Sequence, residues 1–454
     1  MDKEVKKKST PVSYMRETAR KFLDRETSGG LLLILATLVA LVLANTDVAD
    51  IYHHYLSDEI VIGAPEHLEI SLSVEEWIND GLMVIFFLVA GLELKREVMV
   101  GELSDFKKAS MPIFAALGGM LVPAILFFLF NLNMPTVKGW GIPMATDIAY
   151  SLGILGLLGK RVPVQLKIFL VALAIADDIG AILVIAIFYS SQIAWMNLLI
   201  AGGALLVLAI LNRAGIKHLS LYILLGIVLW LAFLDSGIHP TLAGVLFSLT
   251  IPIKPKIQNE DYRQRTKSHV QELEKTDLVN THLLTDKKQQ NILETIRSDT
   301  KHTHPPLLRL ENALTGINAF FIIPVFALAN AGVELSLGIS EVLSSSLGLG
   351  ILTGLVLGKV CGITAFSYLG VKMGFAQLPV GLSWRHIIGT GLIAGIGFTM
   401  SLFITNLAFA DQNLVQVAKI SILLASLIAA IAGVLVLRLG KTRSVKQQEL
   451  GEVV

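Results

Sequence analysis

The chain holds one cysteine, Cys361, so no internal disulfide framework staples it. Charge is scarce as well. Asp, Glu, Lys and Arg make up 16% of 454 residues, against about 25% in soluble domains. Bases and acids nearly cancel, 37 against 36, so the net charge marks no nucleic-acid partner. No short-period repeat is visible. The alternating ten-residue segments of an outer-membrane barrel are absent too. What the chain has instead is apolar length: 54% of residues are hydrophobic and the mean hydropathy is +0.67. Apolar runs of about 20 residues, enough to cross a bilayer, recur along nearly the whole sequence. The expected fold is an all-α polytopic membrane protein.

Hydropathy predicts about twelve spans, near 28–46, 77–94, 109–130, 140–158, 163–189, 195–212, 218–234, 237–252, 307–331, 346–371, 385–406 and 413–437. Lys and Arg concentrate at the N-terminus, in the even-numbered loops and in the tail, while the first loop is acidic. The positive-inside rule then puts both termini in the cytoplasm. The organisation follows: a cytoplasmic segment 1–27, spans 1–8 over 28–252, a hydrophilic cytoplasmic insert 253–306, spans 9–12 over 307–438, and a cytoplasmic tail 439–454. The basic residues before Gly30–Ala44 also suit a signal peptide, but the charged region is too long for one and a polytopic chain follows. The stretches near 109–189 and 346–437 share a plan of long, interrupted and long helices, and start from opposite sides, as an inverted repeat requires.

Two loops stand apart. Apolar and polar residues alternate over Asp58–Ile62 and His67–Leu72 around Gly63-Ala64-Pro65, predicting a β-hairpin over about 58–72. A lone hairpin is marginal in water, so it caps the protein or meets a second copy. The insert carries ten Lys/Arg and eight Asp/Glu over 254–306. Its composition predicts disorder or a loosely docked helix.

The chemistry starts at VALAIADDIGAILVI, Val171 to Ile185, where Asp177 and Asp178 adjoin in mid-span. A charge at the bilayer centre costs about 2.5–3.5 kcal/mol on insertion scales. Two neighbouring charges also repel, so a cation or proton site is the default expectation. In GIPMATDIAYSLGILG, Pro143, Thr146 and Asp147 interrupt another apolar span, which predicts unwinding near Ala145–Asp147. Lys359 lies deep in ILTGLVLGKVCGITAF and needs a carboxylate; Asp147, Asp177 and Asp178 are the acids at similar depth. Gly391, Gly395 and Gly397 permit a second break, before Thr399. If two breaks face each other, Asp147 can neutralise the helix N-terminal ends and Lys359 the C-terminal ends. His239 and Thr241 begin one span. Glu93, Lys95, Arg96 and Glu97 end another, and Glu311 begins a third. The histidine, on the periplasmic side, is structural or serves a pH role; the charges of the other two spans are interfacial or form a cation-attracting, pH-responsive cytoplasmic mouth.

The motifs TDIAYSLGIL, ALAIADDIGAI, GIHPTLAGV, FALANAGV, GLELKRE and the GKVCGI lysine together resemble, in order along the chain and in spacing, the NhaA-type sodium/proton antiporters over about residues 18–440. The long insert 254–306 departs from that pattern. The resemblance implies two discontinuous crossing helices and a bacterial inner-membrane protein. It implies electrogenic, pH-regulated export of sodium or lithium against incoming protons by alternating access, with no cofactor and no enzymatic reaction. On matching positions, Asp177 and Asp178 would bind the cation or protons. Thr146 and Asp147 would sit at a helix break, with Lys359 partnering Asp177 or Asp147. Glu93, Glu97, Glu311 and, at lower specificity, His239 would serve pH response. The hairpin would be a homodimer contact. Apart from ions, membrane lipid is the expected partner.

Two other functions compete. A sodium-coupled symporter shares the broken-helix plan but needs more polar or aromatic groups near the midplane. A membrane sensor accounts for the insert but not for four ionisable groups at bilayer depth.

Overall fold

The computed structural model describes residues 26–64, 68–101, 103–159, 162–190, 193–255, 257, 259–274, 287–334, 339–379 and 381–439. The expected N-terminal segment and C-terminal tail fall almost wholly outside them, as do Pro65 at the hairpin turn and His282 in the insert.

The described chain is mostly helical. Helices α1 (Glu26–Ala44) and α2 (Ala49–Ser57) lead into strands β1 (Glu59–Ala64) and β2 (Leu68–Ser73). Then come α3 (Val74–Val100), α4 (Phe106–Phe130), a 3₁₀ segment (Pro135–Met144) and α5 (Ile148–Leu157). Helices α6 (Val164–Phe188), α7 (Trp195–Arg213), α8 (Leu219–Leu234) and α9 (Thr241–Thr250) follow. The insert supplies α10 (Asn259–Glu274) and α11 (Lys287–Thr303). The last part comprises α12 (Pro306–Asn330), α13 (Ile339–Ser344), α14 (Ser346–Lys372), α15 (Trp384–Ala394), α16 (Phe398–Ala408) and α17 (Gln412–Arg438).

Seven of these helices, α3, α4, α6, α7, α12, α14 and α17, are long and apolar enough to cross a membrane. Counting two bent pairs gives up to nine: α1 with α2, at 110°, and α15 with α16, at 45°. Helices α5, α8 and α9 are apolar but shorter. The protein is therefore a multi-pass helical membrane protein. Its surface agrees. Helix α8 is apolar on every face: Tyr222 and Leu229 are buried, while Leu221, Leu224 and Ile227 face outward. Such a helix is at home in lipid and costly in water.

The two strands pair antiparallel, with Ile60 opposite Leu72 and Ile62 opposite Ile70. Trp77 ties the hairpin down by donating from Nε1 to the Ile60 carbonyl at 3.2 Å. A capping box between Ser73 and Glu76 then starts α3. Ile60, Val61 and Ile62 stay exposed.

The insert differs from its expectation. Its described part is a pair of packed helices rather than one loose helix. Ile292 is buried, Tyr262 and Thr300 share a hydrogen bond of 2.9 Å, and Asp299 lies 3.8 Å from Arg265 and 3.7 Å from His269. Polar contacts between the two helices supplement what the few apolar residues supply.

Helices α4 and α14 cross at glycines. A Cβ on Gly118 would fall on the Gly362 carbonyl oxygen, and one on Gly362 on that of Gly118. Without side chains the backbones meet directly, the close approach that membrane helices use in place of a hydrophobic drive. Helices α3, α12 and α14 each contain a wide π turn, at Trp77–Leu82, Asn318–Ile322 and Gly354–Gly358.

Candidate functional site

The segment ahead of α5 is not the α-helix expected there. It is 3₁₀ through Met144 and irregular over Ala145–Asp147. Pro143 has no N–H to give an α-helical ladder. Across the bundle, Gly395–Gly397 separate α15 from α16. The two interruptions lie against each other: Asp147 N–H donates to the Ile396 carbonyl at 2.7 Å.

Asp147 takes up the helix starts. Its Oδ1 accepts from Tyr150 N–H in α5 at 2.9 Å. Its Oδ2 accepts from both the N–H and the hydroxyl of Thr399 in α16, at 3.0 and 2.6 Å. One carboxylate thus faces the positive ends of two helices. Thr146 serves a helix end of the other sign, since its hydroxyl donates to the Ala394 carbonyl at the end of α15, 3.0 Å away. Ser151 does the same toward the Ile393 carbonyl at 3.1 Å.

Lys359 completes the arrangement. The π turn Gly354–Gly358 precedes it, and a Cβ on Gly358 would meet Pro123 Cα of α4 at 2.8 Å, so glycine lets α14 bring the lysine in. Its Nζ donates to Thr146 Oγ1 at 2.9 Å and to Asp177 Oδ2 at 2.5 Å. Of the three acids at its depth in the sequence, Lys359 therefore pairs with Asp177. Both are almost fully buried, at 1% and 2% exposure of their side chains. Asp177 Oδ1 is buried with no hydrogen-bond partner among the described residues. A carboxylate in that condition lacks a hydrogen-bond donor or a cation on one side.

Asp178 is the next residue of α6 and is buried as well. It lines a cavity of about 10 Å³ with Glu93, Ile148, Ile175 and Ile182. That is close to the space one water needs. Glu93 thus reaches the neighbourhood of the acid pair from α3. Beyond it toward the insert end, Arg96 contacts Glu97 at 3.0 Å and the buried Glu311 at 3.1 Å. Lys95 donates to the carbonyls of Leu249 and Ile251.

His239 is not part of this group. It lies toward the hairpin end, its Nε2 3.3 Å from Asp80 Oδ1 and its Nδ1 2.8 Å from Thr241 Oγ1. It lines a cavity of about 680 Å³ with Glu75, Asp80, Asn406 and Lys419. Sequence reasoning passed over Asp80 and Lys419, the latter buried on α17 about two turns from its start. It also missed Asn330, which donates to Asn79 Oδ1 at 2.9 Å and accepts from Asn406 at 2.6 Å.

A hard cation such as sodium takes oxygen ligands. The deprotonated carboxylates of Asp177 and Asp178 are of the right type, and a proton on either competes with it. Among the described residues no group of three or more His, Cys, Asp or Glu is set to hold a resident metal.

The Na+/H+ antiporter 1 family model matches residues 20–437. The chain is 61% identical over 446 residues to the Na(+)/H(+) antiporter NhaA of Christiangramia forsetii, covering 98% of this chain and 99% of that protein. It is 45% identical over 427 residues to Na(+)/H(+) antiporter NhaA 1 of Saccharophagus degradans, covering 93% and 92%. With a family match over nearly the whole chain and such a relative, the protein belongs to the Na+/H+ antiporter 1 family, a family of secondary transporters and not of enzymes.

Proposed function

We propose that this protein is an electrogenic, pH-regulated sodium(lithium)/proton antiporter that exports sodium from the cytoplasm by alternating access. Asp177 and Asp178 form the site at which cation and protons compete. The observation that carries this is the half-used carboxylate of Asp177, with Lys359 on one oxygen and no partner on the other, beside Asp178.

The cycle follows from charge. With both acids deprotonated, sodium binds them and competes with the Lys359 ammonium for Asp177. Protons arriving from the other side displace sodium, and two interacting carboxylates titrate as a unit. If only a loaded site changes its facing, exchange is coupled. Each net charge moved gains about 2.3 kcal/mol per 100 mV. Thr146, Asp147 and Lys359 hold opposed helix ends together at the crossing. Glu93, Glu97 and Glu311, gathered near Arg96, serve pH response on the cytoplasmic side; His239 serves it on the other side, beside Asp80.

The full architecture is twelve spans with inverted repeats and two discontinuous helices, the breaks lying at Ala145–Asp147 and Gly395–Gly397. The domain divisions are those of the sequence. Loop charges support cytoplasmic termini in a bacterial inner membrane. The exposed apolar strand Ile60–Ile62 supports a homodimer contact through the hairpin.

The test is dequenching of a pH dye in everted vesicles on addition of sodium or lithium, scanned over pH. Wild-type vesicles release protons with either ion, while D177N and D178N do not. Undiminished sodium-driven release from both variants rules out the acid pair.

A further inference from the structure

At the insert end, where α11 meets the connection between α7 and α8 and the start of α12, lies a cavity of about 560 Å³. Six of its eleven lining residues are basic: Lys217, His218, Lys301, His302, His304 and Arg309. None is Asp or Glu. We propose that this cavity is a binding site for a phosphate-bearing anion, held jointly by the insert and the body of the transporter.

The absence of acid is selective. The insert has eight Asp/Glu against ten Lys/Arg, so a random wall would mix signs. Asp299 adjoins the lining residue Ser298, yet its carboxylate lies toward Arg265 and His269, between α10 and α11. Among the described residues, Lys301, His304 and Arg309 have no carboxylate at ion-pair distance. Basic residues near a helix C-terminus are favourable by themselves, which accounts for Lys301 and His302 on α11. It does not account for Lys217 and His218, which come from a different connection, or for Arg309 in the first turn of α12.

The site is also built. Lys217 Nζ donates to the Pro255 carbonyl at 2.6 Å, tying the α7–α8 connection to the start of the insert. Ile257 N–H donates to the His302 carbonyl at 3.2 Å, holding the end of α11 against the same stretch. Three chain segments therefore converge on one concave, positively charged space. Its volume falls in the range of small-ligand pockets, about 300–1,000 Å³. A phosphate group brings several acceptor oxygens and more than one negative charge. An Arg fork together with lysines recognises it through charge-assisted hydrogen bonds. A bound anion would neutralise the convergence and bridge insert to bundle. The phosphate belongs to a soluble compound or to a lipid headgroup, and the chemistry at the cavity is the same.

The experiment uses the purified full chain in neutral detergent. Thermal melting and calorimetry follow titration with potassium pyrophosphate at ionic strength matched by potassium chloride, and separately with phosphatidylglycerol added to the micelles. A saturable rise in Tm with one probe is expected. K301Q/R309Q should weaken it about tenfold or more, while K301R/R309K retains it. A pyrophosphate response identifies a soluble anion as the source, and a response to phosphatidylglycerol alone identifies a headgroup. Should K301Q/R309Q lose helix by circular dichroism, K217Q and H304Q carry the same comparison singly. No saturable response to either probe, or one that the charge-removing variants leave unchanged, overturns the site.

Discussion

Lys359 and Asp177 are 182 residues apart in sequence and meet at 2.5 Å in the interior. The contact uses one carboxylate oxygen of two, and the other is buried without a hydrogen-bond partner among the described residues. The pair is therefore both a fastening and an unfinished coordination shell.

As a fastening it should show in stability. Removing one partner of a buried ion pair costs about 3–5 kcal/mol in soluble proteins. K359A should melt well below wild type in detergent. The double variant D177N/K359A should recover part of the loss, since it leaves no buried charge stranded. Equal melting of wild type and K359A would show that the pair contributes nothing.

Asp147 accepts from three donors on two helices. D147A strands all three, at about 1–3 kcal/mol for each buried group. D147N keeps an acceptor oxygen, and T399V loses only the hydroxyl contact. The expected order of melting loss is D147A first, with D147N and T399V smaller. If T399V matched D147A, the carboxylate would have no role at the α5 start.

The Gly118–Gly362 crossing leaves no room for a side chain. G118V and G362V each overpack it, typically costing about 1–3 kcal/mol. Lower yield of monodisperse protein and a lower Tm are expected from both. Normal melting of either would mean that the two helices can separate freely.

Arg96 contacts Glu97 and Glu311, and its side chain is 39% exposed. A pair this accessible adds little stability. R96A removes the cation that both carboxylates contact, and the exchange-versus-pH profile should shift at nearly unchanged Tm. A profile that stays in place removes this cluster from any part in pH response.

The cost of charge in lipid made the positions of Asp147, Asp177, Asp178 and Lys359 legible from sequence. Proline and glycine did the same for the irregular stretches at Ala145–Asp147 and Gly395–Gly397. Alternation over residues 58–72 marked the hairpin. Hydropathy has no means of matching partners across the chain, so the choice of Asp177 over Asp147 by Lys359 required the structure. Nor did it find the 3₁₀ course of Pro135–Met144, whose apolar content suits an α-helix equally well. Asp80 and Lys419 escaped because they stand near the ends of apolar runs, where a charge ordinarily just reaches for water. The insert's helix pair escaped because polar contacts such as Tyr262 to Thr300 and Asp299 to Arg265 supplement its few apolar residues, and such contacts leave no mark in hydropathy.

The wide turn Gly354–Gly358 fixes more than a bend. A π turn takes up one residue more than an α turn, and a residue advances an α-helix by about 100°. Deleting Leu357 would close the turn to α and leave Lys359 facing Asp177, whereas adding a residue to the α-helical stretch Ser346–Thr353 would turn the ammonium roughly a quarter to a third of a revolution away. Here the count of residues is as binding a constraint as their identity, and the wide turn is the place where the chain can lose one without losing the ion pair.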